Sequence, residues 1–144
     1  MTLDDIHAEW AADARIEEDE LADESRKIPQ LHSKYFKMYS TERLRLKSLD
    51  FQYKVLYKLK YEYFSGTIAD EDMMEQGWQP NPLKILRADV QTYIDADADV
   101  IALLQKKAMQ QEKVDTIDSI IKSINTRGFQ IKNAIDWIRF TNGG

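Results

Sequence analysis

Apolar residues recur along most of this chain at intervals of three and four, the period of a buried helix face. The pattern predicts an all-α fold built from long helices. Thr2 is placed to cap a first short helix, with Asp4 and Asp5 in its first turn near the positive end of the dipole. Leu3, Ile6 and Trp10 form its apolar stripe. A second helical segment is expected from about Glu18 to Tyr39, kinked or interrupted at Pro29. Ser40 or Thr41 is expected to cap a third, opened by Glu42 and Arg43. In that third segment Leu44, Leu49, Phe51, Val55, Leu56, Leu59 and Tyr63 are assigned to one broad apolar face. Arg43, Lys47, Lys54, Tyr57, Lys58 and Tyr61 are assigned to the opposite side, with Lys60 at the flank. Ser65-Gly66 ends the helix, with glycine near C′.

Residues 67–82 hold Asp70-Glu71-Asp72, Gly77, Pro80 and Pro82, and are expected to form a loop. Helix resumes near Leu83 and extends, whole or broken, to Phe140. Within it Val114, Ile117, Ile121, Ile124, Gly128, Ile131, Ile135 and Ile138 follow a 3, 4, 3, 4 rhythm, a heptad seam. Ile101, Leu104 and Ala108 follow the same spacing in another phase. The narrow, isoleucine-rich seam favours association between chains over packing within one. Gly128 requires either a close backbone approach or a helix break, because a mid-helix glycine costs about 1 kcal/mol relative to alanine. The expected organisation is one compact unit: a helical region over 1–66, a loop over 67–82 and a helical oligomerisation region over 83–144.

The net charge of −5 hides strong segregation. Residues 1–25 balance at −9, 26–62 at +7, 63–99 at −6 and 100–144 at +3. A bulk isoelectric point near 5.1 argues against a nucleic-acid partner. The basic block overrides it, because salt confines each field to about 10 Å at 0.1 M. From Arg26 to Glu62 there are ten Lys or Arg against three acids. The block ends Lys54-Val55-Leu56-Tyr57-Lys58-Leu59-Lys60-Tyr61-Glu62-Tyr63-Phe64-Ser65-Gly66. Cations interleaved with aromatics on a helix suit single-stranded nucleic acid: the cations hold phosphates and the rings stack on bases. Arg43, Lys47, Lys54 and Lys58, with Tyr57 and Tyr61, are the candidate contacts. The acidic N-terminal block reads either as a solvated helix surface or as a docking face, for a basic partner or as an internal mimic of the DNA backbone.

Little else carries chemistry. The chain has no cysteine, which excludes disulfides and thiolate metal sites. His7 and His32 lack metal-type spacing. There is no phosphate loop ending in Gly-Lys-Ser or Gly-Lys-Thr. Asp95, Asp97 and Asp99 resemble the start of a calcium loop, but Val100 and Lys106 stand where glycine and glutamate are needed. They read better as first-turn acids of the following helix than as a two-metal nuclease site. No cofactor is expected, nor a secretory leader or membrane span, and a cytoplasmic protein follows.

Two stretches point to a family. Lys58-Leu59-Lys60-Tyr61-Glu62-Tyr63-Phe64-Ser65-Gly66 resembles the Lys-x-Arg-x-x-Tyr-Tyr-Ser-Gly segment of the UvsY recombination mediators of tailed phages. Ile121-Lys122-Ser123-Ile124-Asn125-Thr126-Arg127-Gly128-Phe129-Gln130-Ile131-Lys132 resembles the family's Ile-Lys-Ser-Arg-Gly-Phe-x-Ile-Lys segment. Leu3-Asp4-Asp5-Ile6 and Ser33-Lys34-Tyr35 match in type and order. The resemblance implies a non-enzymatic protein, a ring-like hexamer or heptamer that binds single-stranded DNA. It also implies loading of a RecA-like recombinase onto strands covered by single-strand-binding protein, within an infected host cell. It places the DNA-contacting basic pair on Lys58 and Lys60 and oligomerisation on the C-terminal seam. Two departures stand out. Lys60 replaces an arginine, which keeps the charge but loses bidentate phosphate geometry. Pro29 falls where the family pattern reads as uninterrupted helix.

Overall fold

The Thr2 cap forms as the sequence dictates. The Thr2 hydroxyl accepts from the Asp5 amide, and the Asp5 carboxylate accepts from the Thr2 amide, a reciprocal capping box. In the computed structural model, which describes residues 1–143, the helix so started is α1, Leu3–Asp13. It is followed by α2 (Leu21–Ser65), α3 (Asp70–Gln76), α4 (Val90–Asp95) and α5 (Ala98–Thr141). Short 3-10 turns cover Glu18–Glu20 and Arg87–Asp89. The fold is all-α, with no strand among the described residues.

Three boundaries differ from expectation. α2 is one helix of 45 residues that passes through Pro29 and through Ser40 and Thr41 without a break. An interior proline costs about 3 kcal/mol. Here Ile28, Leu31, Tyr35 and Met38 place a continuous stripe from the same stretch in a core, and that burial holds the helix together. The segment 67–82 is not all loop. Asp70, Glu71 and Asp72 fill the first turn of α3, and Gly77 ends it in the left-handed region at φ 73°. The Trp78 amide closes that cap on the Met73 carbonyl. Helix does not resume at Leu83 but at Arg87, and the long helix starts only at Ala98.

The chain divides into two compact units that do not follow the sequential boundaries. One comprises Met1–Leu44 with the chain from Gln110 onward; the other is Arg45–Met109. α2 and α5 therefore contribute to both.

In the first unit Ile6, Tyr35, Ile117, Ile120 and Ile124 are buried together, with Trp10, Ile28, Leu31 and Met38 packed around them. Trp10 meets Tyr35 edge to face, at 5.6 Å and 87°. The Tyr35 hydroxyl donates to Asp13 at 2.8 Å, and burial together with that carboxylate pushes its pKa up. Lys34 bridges Glu9 and Asp13, each at 2.6 Å. Part of the N-terminal acid is thus neutralised inside this unit. Glu17, Glu18, Asp19 and Glu20 stay exposed.

The heptad seam is largely consumed here. Val114, Ile117, Ile124 and Ile131 are buried in a single chain, and Ile121 packs against the core. The reading that the whole seam faces another chain is therefore corrected. Ile6 and Trp10 of α1 and a stripe from α2 share the core with Ile117, Ile121 and Ile124, from more than 75 residues away in sequence. Toward the end of α5 the pattern opens: Ile135 is half-buried and Ile138 exposed, as are Phe129, Trp137 and Phe140. The helix runs through Gly128 without a break, and a Cβ added there would meet nothing within 4 Å.

In the second unit Val90, Ile94 and Val100 form the buried cluster, with Tyr53, Leu56, Tyr57, Phe64 and Ile85 against it. α2 ends at Gly66, φ 79°, where the Thr67 amide returns to the Glu62 carbonyl.

Candidate nucleic-acid interface

The basic-aromatic block lies in α2, and its side chains sort by helical angle. Lys47, Lys54 and Lys58 stand four residues before, three after and seven after Phe51, so all four project to one side at about 100° per residue. Each of them is exposed. Val55, four residues after Phe51, joins them, and both apolar residues are more than three-fifths exposed. By spacing alone Phe51 and Val55 fall on the apolar face, opposite the lysines. The structure corrects this: apolar and cationic residues share one solvent face. Leu44 is likewise exposed, although it too was assigned to the apolar face, and Arg43 is exposed beside it in the first unit.

Lys58 keeps its ammonium in solvent. Its side chain is 77% exposed, and its contact is with Glu62, one turn on, at 3.5 Å. Surface pairs of this kind contribute a few tenths of a kcal/mol, too little to hold the ammonium against a phosphate. The Lys54 ammonium sits 5.8 Å from the Phe51 ring centroid. Tyr61 presents 39% of its surface.

Lys60 does not belong to this face. It lies half a turn away from it and is only 4% exposed. Its ammonium is 3.1 Å from Asp97 Oδ1, 2.9 Å from Asp99 Oδ2 and 4.0 Å from the Trp78 ring centroid. The other oxygen of Asp97 accepts the amides of Asp99 and Val100 and so caps α5. Lys60 thus ties α2 to the start of α5 and to the residue after α3. The pairing of Lys58 with Lys60 as joint strand contacts is corrected on this ground. The acidic triplet was the available signal: Asp97 and Asp99, two residues apart, can share one cation, and Lys60 is the one that meets them.

Tyr57 also leaves the stripe. Its ring packs on the Val90, Ile94 and Val100 cluster, and its hydroxyl donates to Gln91 at 2.5 Å. Tyr63 and Phe64 are half-buried. The Tyr63 hydroxyl donates to the Gln79 carbonyl at 2.6 Å, and its ring meets Trp78 at 5.4 Å. These aromatics build the fold of the unit.

Replacing Lys60 with Met keeps the stem and removes the charge, leaving two carboxylates without their cation. The expected cost is about 2–3 kcal/mol, read as a lower urea midpoint. The salt dependence of strand binding should be unchanged in the folded variant. A direct phosphate contact would show instead as a shallower salt slope.

Among the described residues no group of His, Asp or Glu is placed to hold a metal ion, and no helix is long and apolar enough to cross a membrane. What the face offers is positive charge and one uncovered ring.

Comparison with known proteins agrees with the motifs. The model of the family described as UvsY, recombination, repair and ssDNA binding protein, matches residues 9–144. The recombination protein uvsY of Enterobacteria phage T4 is 24% identical over 143 residues, which cover 99% of both chains. Two crystal structures of the bacteriophage T4 recombination mediator protein UvsY resemble the whole chain. Lattice type II superposes with a TM-score of 0.85 at 25% identity, covering 100% of this chain and 99% of the other. Lattice type IV gives 0.80 at 25% identity, covering 98% and 99%.

Proposed function

Since this chain belongs to the UvsY family of recombination, repair and single-stranded-DNA-binding proteins, we propose that it is a recombination mediator that grips single-stranded DNA on the lysine face of α2. The observation that carries this reading is the exposure of Lys47, Lys54 and Lys58 on one side of one helix. Three cations that make no strong internal pair retain their full attraction for phosphate. Tyr61 lies close to the same side and Arg43 extends the basic run upstream.

One subunit offers few cations, so its affinity is weak. Several subunits closed into a ring, a hexamer or heptamer, would raise it through effective concentration. The proposed assembly surface is the end of α5, where Phe129, Trp137, Ile138 and Phe140 are exposed and Trp137 stacks on Phe140 at 5.8 Å. Gly128 belongs to it, because open space over a helical glycine lets a neighbouring backbone approach closely. By holding the strand against single-strand-binding protein, the assembly would present it to a RecA-like recombinase in the infected cell, with no catalytic step of its own.

Native mass spectrometry with and without an oligonucleotide tests strand binding and assembly together. The expected result is a high-mass species that gains the mass of the strand. Gly128→Ala should raise the helix stability of the single chain by about 1 kcal/mol. It should also shift the mass distribution toward smaller species. A wild-type assembly that takes up no strand would leave a scaffold that binds only proteins. An intact Gly128→Ala assembly would remove Gly128 from the interface.

A further inference from the structure

Phe51 is 63% exposed in the middle of the lysine face. Lys47 stands about one turn before it and Lys54 about one turn after it, and the Lys54 ammonium lies 5.8 Å from the ring centroid. Lys58 follows a turn later. An uncovered phenylalanine ring bordered by cations on both sides along the helix is unlike the centre of a protein contact, which is depleted of lysine. It matches what a single strand needs: a flat apolar surface for a base between two charges for the flanking phosphates. The aromatic that sequence reasoning offered for stacking, Tyr57, is packed against the core of its unit and bonded to Gln91.

We propose that Phe51 is the base-stacking platform of the strand site, with Lys47 and Lys54 holding the phosphates on either side of the stacked base. The inference rests on the strand-binding reading above and adds to it how the bases are held. Stacking on a ring that offers no hydrogen bond is indifferent to base identity, so the site tolerates any sequence.

The experiment compares oligo(dT) with an abasic oligonucleotide of the same length, which keeps the phosphates and lacks the bases. Phe51→Leu keeps the apolar side chain and removes the π face. It should weaken oligo(dT) binding by about 5- to 150-fold per site, the range for loss of one stacked base. Its salt slope should stay as in the wild type, since no charge is lost. Binding of the abasic strand should not change. Phe51→Trp should bind oligo(dT) at least as well as the wild type. Its emission should be quenched beyond the background of Trp10, Trp78 and Trp137.

Equal oligo(dT) affinity in Phe51→Leu and wild type overturns the proposal and leaves the ring as a protein contact. An equal loss on both strands, or a changed assembly mass, also overturns it, because Phe51 would then act through the fold or between copies. A wild type that binds neither strand fails at the earlier step, and the strand-binding reading falls with it.

Discussion

Replacing Lys47, Lys54 and Lys58 together with alanine is expected to lower affinity for single-stranded DNA by about 50-fold per subunit at 0.15 M salt. The magnitude follows from counterion release: each phosphate contact on a single strand contributes a slope of about 0.7 in log affinity against log salt, or roughly fourfold at that concentration. Three contacts multiply. The slope itself should fall by about 2 per subunit, a readout that misfolding does not mimic. The three side chains are exposed, and surface substitutions of this kind usually shift stability by less than about 0.5 kcal/mol. Circular dichroism and assembly mass should therefore match the wild type. In a multi-subunit assembly the loss compounds, because every subunit along the strand is weakened. Affinity and slope both unchanged in a folded triple variant would remove this face from the strand site. Lys60 serves as the internal contrast, since it has the same charge, sits two residues from Lys58 and is shut inside the unit by Asp97, Asp99 and Trp78.

Arg127→Met is expected to cost about 3–5 kcal/mol, the penalty for breaking a buried ion pair from one side. Arg127 is 3% exposed. Its guanidinium donates to the carbonyls of Ala14 and Arg15, just past the end of α1, and to Glu24 at 3.0 Å. One planar cation therefore closes the negative end of a helix dipole and neutralises a buried carboxylate. Methionine fills the volume and leaves Glu24 with Lys27 alone, at 3.2 Å. Arg127→Lys keeps the charge without the fork and should fall between the two. Chemical denaturation measures all three.

The pH dependence gives a second readout. Burial pushes the Glu24 carboxyl up, but Lys27 and Arg127 outweigh it and hold the pKa below the ordinary glutamate value. A depressed carboxyl adds stability above its unfolded pKa of about 4.3 and loses it as pH falls through the folded value. Wild-type stability should therefore be level from pH 7 to about 5 and decline below about 4. Without Arg127 one of the two cations that hold the Glu24 pKa down is gone, and the decline should begin at higher pH. A variant with wild-type midpoint and profile would show that the guanidinium carries no such role.

The sequence by itself determined the helical fold, the start of its first helix, the end of its second and the family. Thr2 with Asp5, and Gly66 after Ser65, act within one turn of backbone, and nothing distant can override them cheaply. The Lys58–Gly66 and Ile121–Lys132 motifs are likewise read directly from the chain. Two local signals failed where packing outweighed them. Pro29 and Ser40-Thr41 predicted breaks, but the core stripe of α2 continues through both. The heptad seam predicted a partner chain, but Ile6 and Tyr35 of the same chain meet much of it.

Only the tertiary structure decided which faces of α2 and α5 meet solvent. On α2 the apolar set wraps too far round the helix for its period to name one buried side. Val90, Ile94 and Val100 take the side with Tyr53, Leu56 and Tyr57, and Asp97 and Asp99 draw Lys60 in with them. That choice leaves Phe51 and Val55 among the lysines. The reason is physical: periodicity is a property of one helix, whereas burial depends on what another part of the chain, 30 or more residues away, presents to it.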